Sequence, residues 1–271
     1  MRRDANTHYP DAVVQLLLDV LPARGLIGIS GLQGSGKSTL AAQLASAAEQ
    51  RGVAAITMSI DDFYLGRRAR QHLARTVHPL LATRGVPGTH DIDLLLRTLE
   101  VLRRAAPTRP ARVPRFDKGR DTRQPPSHWR SVRCAPDLLI LEGWCVGVPP
   151  ESAAALRRPL NALERDEDAD ARWRTFVNTQ LARHYTVLWR RFHRLIELQA
   201  PNFAVVARWR DEQERALRKR HAPRAMSQAA LRRFLMHYER LSRQALRTLP
   251  TRADICIRLA GDRRVHEIAI R

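Results

Sequence analysis

The chain has 271 residues, 44% of them hydrophobic, with 47 Lys and Arg against 27 Asp and Glu and a formal net charge of +20. We predict one domain over residues 1–271, because this length and apolar content suffice for one full core. The absence of a run of about 18 apolar residues and of a signal-like N-terminus favours a soluble, cytoplasmic protein with no membrane partner.

The positive charge comes almost entirely from arginine, since the only lysines are Lys37, Lys118 and Lys219. The arginines are spread along the chain without blocks or interleaved aromatics, a pattern unlike that of a nucleic-acid-binding surface. We therefore expect no nucleic-acid partner, and we expect a monomer. A field of this sign would also attract a small anionic substrate.

Three cysteines, Cys134, Cys145 and Cys256, are widely spaced and form no C-x-x-C pair. This spacing indicates neither a disulfide framework nor a zinc site. We expect all three thiols to be reduced and buried.

Short apolar runs predict strands along the chain, with helical patterns between them. The runs are GLIGIS (25–30), VAAITMSI (53–60), DLLILE (137–142), HRLIEL (193–198) and DICIRL (254–259). This alternation predicts an α/β fold with a parallel sheet and helices on both faces. Amphipathic patterns at 91–104 and 227–249 predict two of the covering helices.

After the first predicted strand, Gly31–Ser38 (GLQGSGKS) matches the phosphate-loop pattern G-x-x-x-x-G-K-[ST] and precedes a helical segment. Backbone N–H groups of such a loop converge on phosphate at the positive end of a helix dipole. Lys37 would neutralise phosphate charge, and Ser38 would bind Mg²⁺. The absence of N-K-x-D favours ATP as the nucleotide. The predicted nucleotide-binding residues in this loop are Gly31, Gly34, Ser35, Gly36, Lys37, Ser38 and Thr39.

Carboxylates follow two further strands, where an open α/β sheet binds its ligands. Asp61 and Asp62 follow the second predicted strand, and Glu142 ends the third. Such groups serve phosphoryl transfer by holding Mg²⁺ or by accepting a proton from the attacking hydroxyl. Asp61 and Asp62 could instead be cap or turn residues, and Glu142 a solvated strand end.

A phosphate loop, then S-x-D-x-F-Y (59–64), then a strand ending in E-G (142–143), resembles the P-loop small-molecule kinases that include uridine kinase, phosphoribulokinase and bacterial pantothenate kinase. The resemblance implies a P-loop NTPase fold with a helical lid. It also implies that Asp61 is the catalytic base beside Lys37 and Glu142, with Asp62 and Tyr64 near the acceptor and Ser38 and Glu142 at the metal.

Further stretches, including RGVPGTHD (84–91), RFDKGR (115–120) and EGWCVG (142–147), are similar to D-glycerate 3-kinases of the plant and fungal type and their bacterial relatives. The resemblance covers the chain from Gly25 onward. It implies transfer of a phosphoryl group from ATP to D-glycerate, giving 3-phosphoglycerate. Other small alcohols, such as a nucleoside or a pantothenate-like compound, remain open as acceptors, and a nucleic-acid-binding ATPase is the remaining alternative.

Irregular segments carry the cations that we expect to bind an anionic acceptor: Arg84, His90, Lys118 and Arg120. His90 and Asp91 could instead cap the helix that begins at Ile92, and Arg84 could be a solvated loop charge. The proline-rich stretch 107–136 is predicted to be a long functional loop, with an interdomain linker as the alternative.

A polar helix after residue 200 carries Arg208, Arg210, Arg215 and Arg218. In related kinases a lid at this place closes over ATP and supplies arginines, so we predict a lid over about 200–226 with Arg208 and Arg210 at the nucleotide. An exposed helix with pairs such as Asp211–Arg215 is the alternative.

Overall fold

The structure is a computed structural model that describes residues 8–219 and 226–271. The strands in this part of the chain are β1 (Gly25–Gly31), β2 (Ala55–Ser59), β3 (Ala111–Val113), β4 (Phe116–Asp117), β5 (Thr122–Arg123), β6 (Arg130–Val132), β7 (Leu138–Gly143), β8 (Arg194–Gln199), β9 (Ile255–Leu259) and β10 (Val265–Ile270). The α-helices are α1 (Asp11–Val20), α2 (Lys37–Gln50), α3 (Arg67–Thr76), α4 (Ile92–Leu102), α5 (Ala153–Leu156), α6 (Ala162–Glu167), α7 (Arg172–Gln180), α8 (Thr186–Trp189), α9 (Ala204–Lys219) and α10 (Gln228–Thr248).

The central sheet has six strands in the order β10-β9-β8-β1-β7-β2. Its five strands from β9 to β2 are parallel, and β10 runs antiparallel to β9 at the edge. All five parallel strands are those predicted from the apolar runs, so the α/β prediction is confirmed. The chain passes from β1 to the edge strand β2, then returns to β7 and crosses to β8. This reversal places a crevice outside the carboxyl ends of the middle strands.

The middle strands are continuous apolar runs because helices cover both faces of the sheet. Leu26, Ile27 and Ile29 of β1 and Ile140 and Leu141 of β7 are buried. The predicted amphipathic helices appear as α4 and α10, whose buried positions recur at helical spacing. The described ranges contain no helix with the length and apolar character needed to span a membrane.

The segment 107–136 is more regular than we predicted, because it contains two small antiparallel sheets, β3–β6 and β4–β5. Strands of two or three residues are too short to produce a recognisable alternation in sequence. Ala111, Val113 and Phe116 are buried, so the segment packs on the rest of the chain.

One expectation about the cysteines is wrong. Cys145 and Cys256 are buried, but Cys134 is exposed. The cause is its place in the connection between β6 and β7, which runs over the surface as connections usually do.

A carboxyl group is buried inside the sheet. Glu197 of β8 lies in register between Ser30 of β1 and Cys256 of β9, and the Cys256 thiol donates a hydrogen bond to it at 3.6 Å. Burial raises the pKa of Glu197 from 4.5 to about 8, against the smaller opposing effects of the thiol and of Arg271. Glu197 is therefore largely neutral at pH 7.

We predict that Glu197→Gln removes a pH dependence of stability. The pKa of Glu197 is higher in the folded chain than in the unfolded chain, so the folded state binds the extra proton between about pH 4.5 and 8. The stabilisation of the wild type is complete below this window and is lost as pH rises through it, at no more than about 1.4 kcal/mol per pH unit. Urea unfolding of both proteins at several pH values measures the difference.

The matched control is Glu267→Gln. It removes an exposed carboxylate of the edge strand β10 that pairs with Arg258 of β9. Its free energy of unfolding should run parallel to that of the wild type over the same pH range. Parallel curves for Glu197→Gln as well would contradict the assignment.

Candidate active site

The loop between β1 and α2 has the geometry of a phosphate cradle. Gly34 and Gly36 have φ of +83° and +91°, which side chains rarely adopt. A Cβ on Gly34 would lie 2.7 Å from Cβ of Trp209, so glycine is also required by close packing. Among the described residues no side chain caps the N-terminus of α2, which begins at Lys37. This 14-residue helix therefore directs its first N–H groups and its positive dipole end into the loop, as an anion site requires.

Lys37 binds back within the loop, whereas Ser38 connects the cradle to the neighbouring strand β7. The Lys37 ammonium donates to the Leu32 carbonyl at 3.1 Å, and Ser38 Oγ donates to Glu142 Oε1 at 3.0 Å. Burial raises the pKa of Glu142, while the Lys37 charge and hydrogen bonds from Ser59 and Ser38 oppose that rise. A hydroxyl and a carboxylate beside a phosphate cradle are oxygen ligands suited to Mg²⁺.

Asp61 and Asp62 lie in a 3₁₀ turn, Ile60–Phe63, which follows β2 and is capped by Ser59. Their side chains separate. Asp61 Oδ2 accepts from Lys118 Nζ at 2.6 Å, and its Oδ1 accepts from the Tyr64 hydroxyl at 2.8 Å. Asp62 Oδ1 instead accepts from the Phe116 N–H at 3.2 Å. The two neighbouring carboxylates thus point to different partners because they lie in a turn.

The two aspartates also differ in protonation. Burial acts to raise the pKa of Asp61, but the Lys118 charge and the hydrogen bonds from Lys118 and Tyr64 outweigh it, so the net shift is downward. Burial raises the pKa of Asp62, and the Phe116 N–H offsets it only in part. Asp61 is therefore the more strongly ionised of the pair. An ionised carboxylate next to a phosphate cradle can accept a proton from an attacking hydroxyl.

The segment 84–91 is a tightly built loop. A Cβ on Gly85 would lie 2.0 Å from the Tyr238 hydroxyl, and one on Gly88 would lie 2.6 Å from Phe176. The Thr89 hydroxyl donates to the Val86 carbonyl at 2.7 Å inside the loop. Two aromatic side chains, one directly after β7 and one on α10, fix it from outside: Trp144 Nε1 donates to the Gly85 carbonyl at 3.0 Å, and Tyr238 donates to the Arg84 carbonyl at 2.9 Å.

This loop delivers His90 into the site. The Tyr185 hydroxyl accepts from the Gly88 N–H at 3.0 Å and lies 2.7 Å from His90 Nδ1, so it is placed to donate to that nitrogen. The proton of the neutral ring then resides on Nε2. His90 stacks on Tyr64, and burial lowers its pKa to about 4 despite the opposing charge of Asp61. Asp91, and not His90, caps α4, through its bond to the Leu94 N–H at 2.9 Å.

The predicted cations are placed unequally. Lys118 reaches Asp61 with a side chain that is 61% exposed. Arg84 forms an ion pair with Asp121, which also binds the buried Arg70 at 2.5 Å. The structure does not bring Arg120 to this group: its side chain is 86% exposed and lies 3.8 Å from Asp117. The reason is that β4 and β5 form a hairpin whose turn points Arg120 outward.

The first helix of the predicted lid is α9, and the arginines on it contact different parts of the chain. The side chain of Arg208 and the Trp209 indole both donate to the Gly261 carbonyl, the latter at 2.8 Å. Arg210 lies over the Phe234 ring at 5.9 Å, on the side of Tyr238. Arg215 forms the helical ion pair with Asp211 at 2.5 Å that the alternative interpretation anticipated. Residues 220–225 of the predicted lid lie outside the described residues, as does the side chain of Arg218.

The charges of Glu142, Asp61 and Lys118 all act on Lys37, and Lys37, Asp61 and Glu142 follow or end β1, β2 and β7 at their carboxyl ends. The phosphate cradle, the Ser38–Glu142 pair and the ionised Asp61 meet there. This combination of fold and site defines the P-loop kinases that phosphorylate small molecules.

Comparison with known proteins gives the family. The chain is 33% identical over 221 residues to the uncharacterized kinase mug58 of Schizosaccharomyces pombe, a match covering 79% of this chain and 78% of that protein. It is 31% identical over 224 residues to the chloroplastic D-glycerate 3-kinase of Arabidopsis thaliana, covering 79% of this chain and 46% of the longer plant protein. The chain therefore belongs to the D-glycerate 3-kinase-like family of P-loop kinases, and it is an ATP-dependent small-molecule kinase.

A solved structure supports the fold. D-glycerate 3-kinase from Cryptococcus neoformans superposes with a TM-score of 0.76 over 96% of each chain, at 23% sequence identity. At this identity the likeness shows the fold alone. No protein-family model matches the chain.

The sequence argument missed several residues that hold the site in place. Tyr9 and Arg263 bind carbonyls of the phosphate loop, and Tyr185 binds His90. Each lies far along the chain from the group it contacts, so no local pattern points to it. Trp144 is the exception, because it directly follows the E-G that was recognised.

We predict that Lys37→Ala reduces phosphoryl transfer by at least about a hundredfold, because backbone N–H groups cannot replace a mobile cation on the phosphates. Lys37→Arg should not restore it, since the guanidinium is larger and planar. Initial rates of ADP release measure both, with melting curves to confirm folding. Near-normal rates in a folded Lys37→Ala protein would remove the phosphate-loop mechanism.

Proposed function

We propose that this kinase transfers the γ-phosphoryl group of ATP to the 3-hydroxyl of D-glycerate, giving 3-phosphoglycerate and ADP. The observation that carries the proposal is the contact of Lys118 with Asp61 at 2.6 Å. Asp61 can accept the proton of a hydroxyl, and Lys118 can bind a carboxylate. D-glycerate carries a hydroxyl and a carboxylate a few bonds apart, so both could be bound at this pair. The named activity of the plant relative supports the same acceptor.

The nucleotide half of the site follows from the cradle. In this proposal the loop residues Gly31 to Thr39 bind the phosphates through backbone N–H groups, and Lys37 neutralises charge on the transferred group. Ser38 and Glu142 would hold Mg²⁺, which would neutralise phosphate charge when bound. The Ser38–Glu142 hydrogen bond of 3.0 Å supports this assignment, since it keeps both oxygens together.

The acceptor half depends on Asp61. Its carboxylate would accept the proton of the 3-hydroxyl as the new phosphorus–oxygen bond forms and the bond to the leaving ADP oxygen breaks. Asp61 is ionised across the neutral range because Lys118 and Tyr64 bind it. Lys118 is long and mostly exposed, so it can turn from Asp61 to the acceptor carboxylate.

The neutral His90 ring would donate a hydrogen bond from its Nε2–H to the acceptor. That nitrogen is buried and, within the described residues, has no hydrogen-bond partner, which is costly unless a ligand supplies one. Arg84 sits beside Phe116, its guanidinium carbon 5.6 Å from the ring centroid, at the edge of the same region. Asp62 would position the β4–β5 hairpin that carries Lys118, through its bond to Phe116. In this proposal Arg120 does not contact the acceptor, because its side chain is 86% exposed and lies beside Asp117.

The helix α9 and the residues after it would act as a lid of about 200–226. Arg210 is the arginine best placed to approach the transferred phosphoryl group, because it lies on the side of Tyr238 and the acceptor region. Closure would exclude water from the reaction. In this proposal the six-stranded sheet and the lid belong to a single kinase domain.

We predict that ADP release from ATP requires D-glycerate. The test compares D-glycerate, L-glycerate, a nucleoside and pantothenate as acceptors, with product identification by mass spectrometry. D-glycerate should give the highest kcat/KM, with phosphate on the 3-hydroxyl. Preferred phosphorylation of the nucleoside or of pantothenate would overturn the acceptor and leave the kinase assignment intact.

We predict that Asp61→Asn lowers kcat by about 10² to 10⁴, the usual value of general-base assistance, while ATP affinity changes little. Asp62→Asn is the matched control from the same turn. It should lose less, chiefly through acceptor KM, because the carboxylate of Asp62 accepts from the hairpin at the Phe116 N–H. Steady-state kinetics and ATP titration measure these effects. A larger loss of kcat in Asp62→Asn would exchange the roles of the two residues.

A further inference from the structure

Two residues from opposite ends of the chain bind the outer side of the phosphate loop. The Tyr9 hydroxyl donates to the Ser35 carbonyl at 2.9 Å, and Arg263 Nε donates to the Gly34 carbonyl at 2.8 Å. Tyr9 is 3% exposed, and the Arg263 side chain is 7% exposed. Both contacts are therefore shielded from water, where a hydrogen bond with a charged donor is strongest.

These contacts fix the direction of the loop's N–H groups. In a trans peptide the C=O and the following N–H point in opposite directions. A carbonyl held on the outside of the loop therefore turns the N–H of the same peptide unit away from Arg263 or Tyr9. For the Gly34 carbonyl that N–H belongs to Ser35, which donates to the Leu32 carbonyl at 3.2 Å and closes the turn of the loop. For the Ser35 carbonyl it belongs to Gly36, directly before the N-terminus of α2. The outer contacts arrange the cradle before any phosphate arrives.

Arg263 makes a second set of contacts on α9. Its Nη2 lies 2.6 Å from a carboxylate oxygen of Glu212, and its guanidinium carbon lies 5.3 Å from the centroid of the Trp209 ring. Trp209 itself packs on Gly34 and donates to Gly261, in the same turn as Arg263. One guanidinium thus joins the phosphate loop to the first turns of the proposed lid.

The backbone at Arg263 is unfavourable for an arginine. Its φ is +72°, in the turn between β9 and β10 where Ala260 and Arg264 pair through the backbone. A left-handed conformation at a non-glycine residue is unfavourable and persists where the surroundings enforce it. Glycine would fit the backbone of this turn better. We therefore expect the contacts of the Arg263 side chain to offset the unfavourable backbone conformation.

We propose that Arg263 is a positioning residue of the nucleotide site, which holds the phosphate loop in its binding conformation and couples it to α9. Arg263 acts from behind the loop, through the Gly34 carbonyl, and contacts no phosphate. The proposal rests on the phosphate loop and is independent of the acceptor. A failure of D-glycerate as substrate would therefore leave it unaffected.

The first test is Arg263→Gly, which suits the left-handed backbone while removing the side chain. The matched control is Arg264→Gly, its neighbour in the same turn, whose side chain is 87% exposed and paired only with Asp262 among the described residues. Calorimetry measures the Kd of ATP and of inorganic triphosphate. We expect both Kd values to rise about tenfold or more in Arg263→Gly, the order of one charge-assisted hydrogen bond, and to stay unchanged in Arg264→Gly.

The use of inorganic triphosphate separates this role from a contact with the nucleoside. A rise in the Kd of ATP alone would show that Arg263 touches the base or sugar, and would overturn the proposal. Unchanged Kd values for both ligands would overturn it as well. Arg263→Lys keeps the charge but cannot bind Gly34 and Glu212 together, so its Kd values should be intermediate; full restoration by lysine would contradict the two-sided contact.

Hydrogen exchange of the nucleotide-free protein tests the coupling separately from binding. Arg263→Gly should accelerate exchange of amides in both 33–37 and 206–212. Glu212→Ala, which removes the acceptor for Arg263 on α9 and leaves the contact with Gly34, should accelerate exchange in 206–212 and leave 33–37 near the wild-type rate. Unchanged exchange in the phosphate loop of Arg263→Gly, with folding confirmed by its melting curve, would refute the positioning role.

Discussion

A loop binds phosphate only when its successive N–H groups converge on one point, and the rest of this structure depends on that constraint. Convergence requires left-handed backbone at Gly34 and Gly36 and leaves the loop's carbonyls facing outward. Buried outward carbonyls need donors of their own, and Tyr9 and Arg263 provide them. Tyr9, the β9–β10 hairpin and the first turns of α9 are therefore all packed around one short turn.

The acceptor side shows how one cluster keeps neighbouring groups in different ionisation states. Asp61 is ionised because its two hydrogen-bond donors outweigh burial, whereas Asp62 has only a backbone N–H and a raised pKa. His90 is more deeply buried and forms no ion pair within the described part of the chain, so burial lowers its pKa to about 4. An ionised carboxylate and a neutral imidazole thus lie in the same cluster.

The arginine excess is used partly inside the molecule. Arg70, Arg174 and Arg240 are buried, each with a carboxylate partner. A guanidinium suits such places because it offers five donors in a planar fork. The ion pairs of Arg70 and Arg84 with Asp121 hold the β4–β5 turn against α3. The same turn carries Lys118, which contacts Asp61. These buried arginines therefore stabilise the fold, although the sequence shows them only as part of an excess of positive charge.

The five parallel strands, the phosphate loop and the carboxylates at the ends of β2 and β7 could all be predicted from the sequence, because each depends on local periodicity or on residues adjacent in the chain. The family resemblance was visible in the same motifs. Which cations reach the site depends on the packing of the hairpin: Lys118 lies on Asp61, while Arg120, two residues further on, faces solvent. The tertiary structure alone brought Tyr9, Tyr185 and Arg263 to the loops they hold. Contacts between residues 26, 95 and 229 positions apart are set by how helices and strands pack, and no local pattern encodes them.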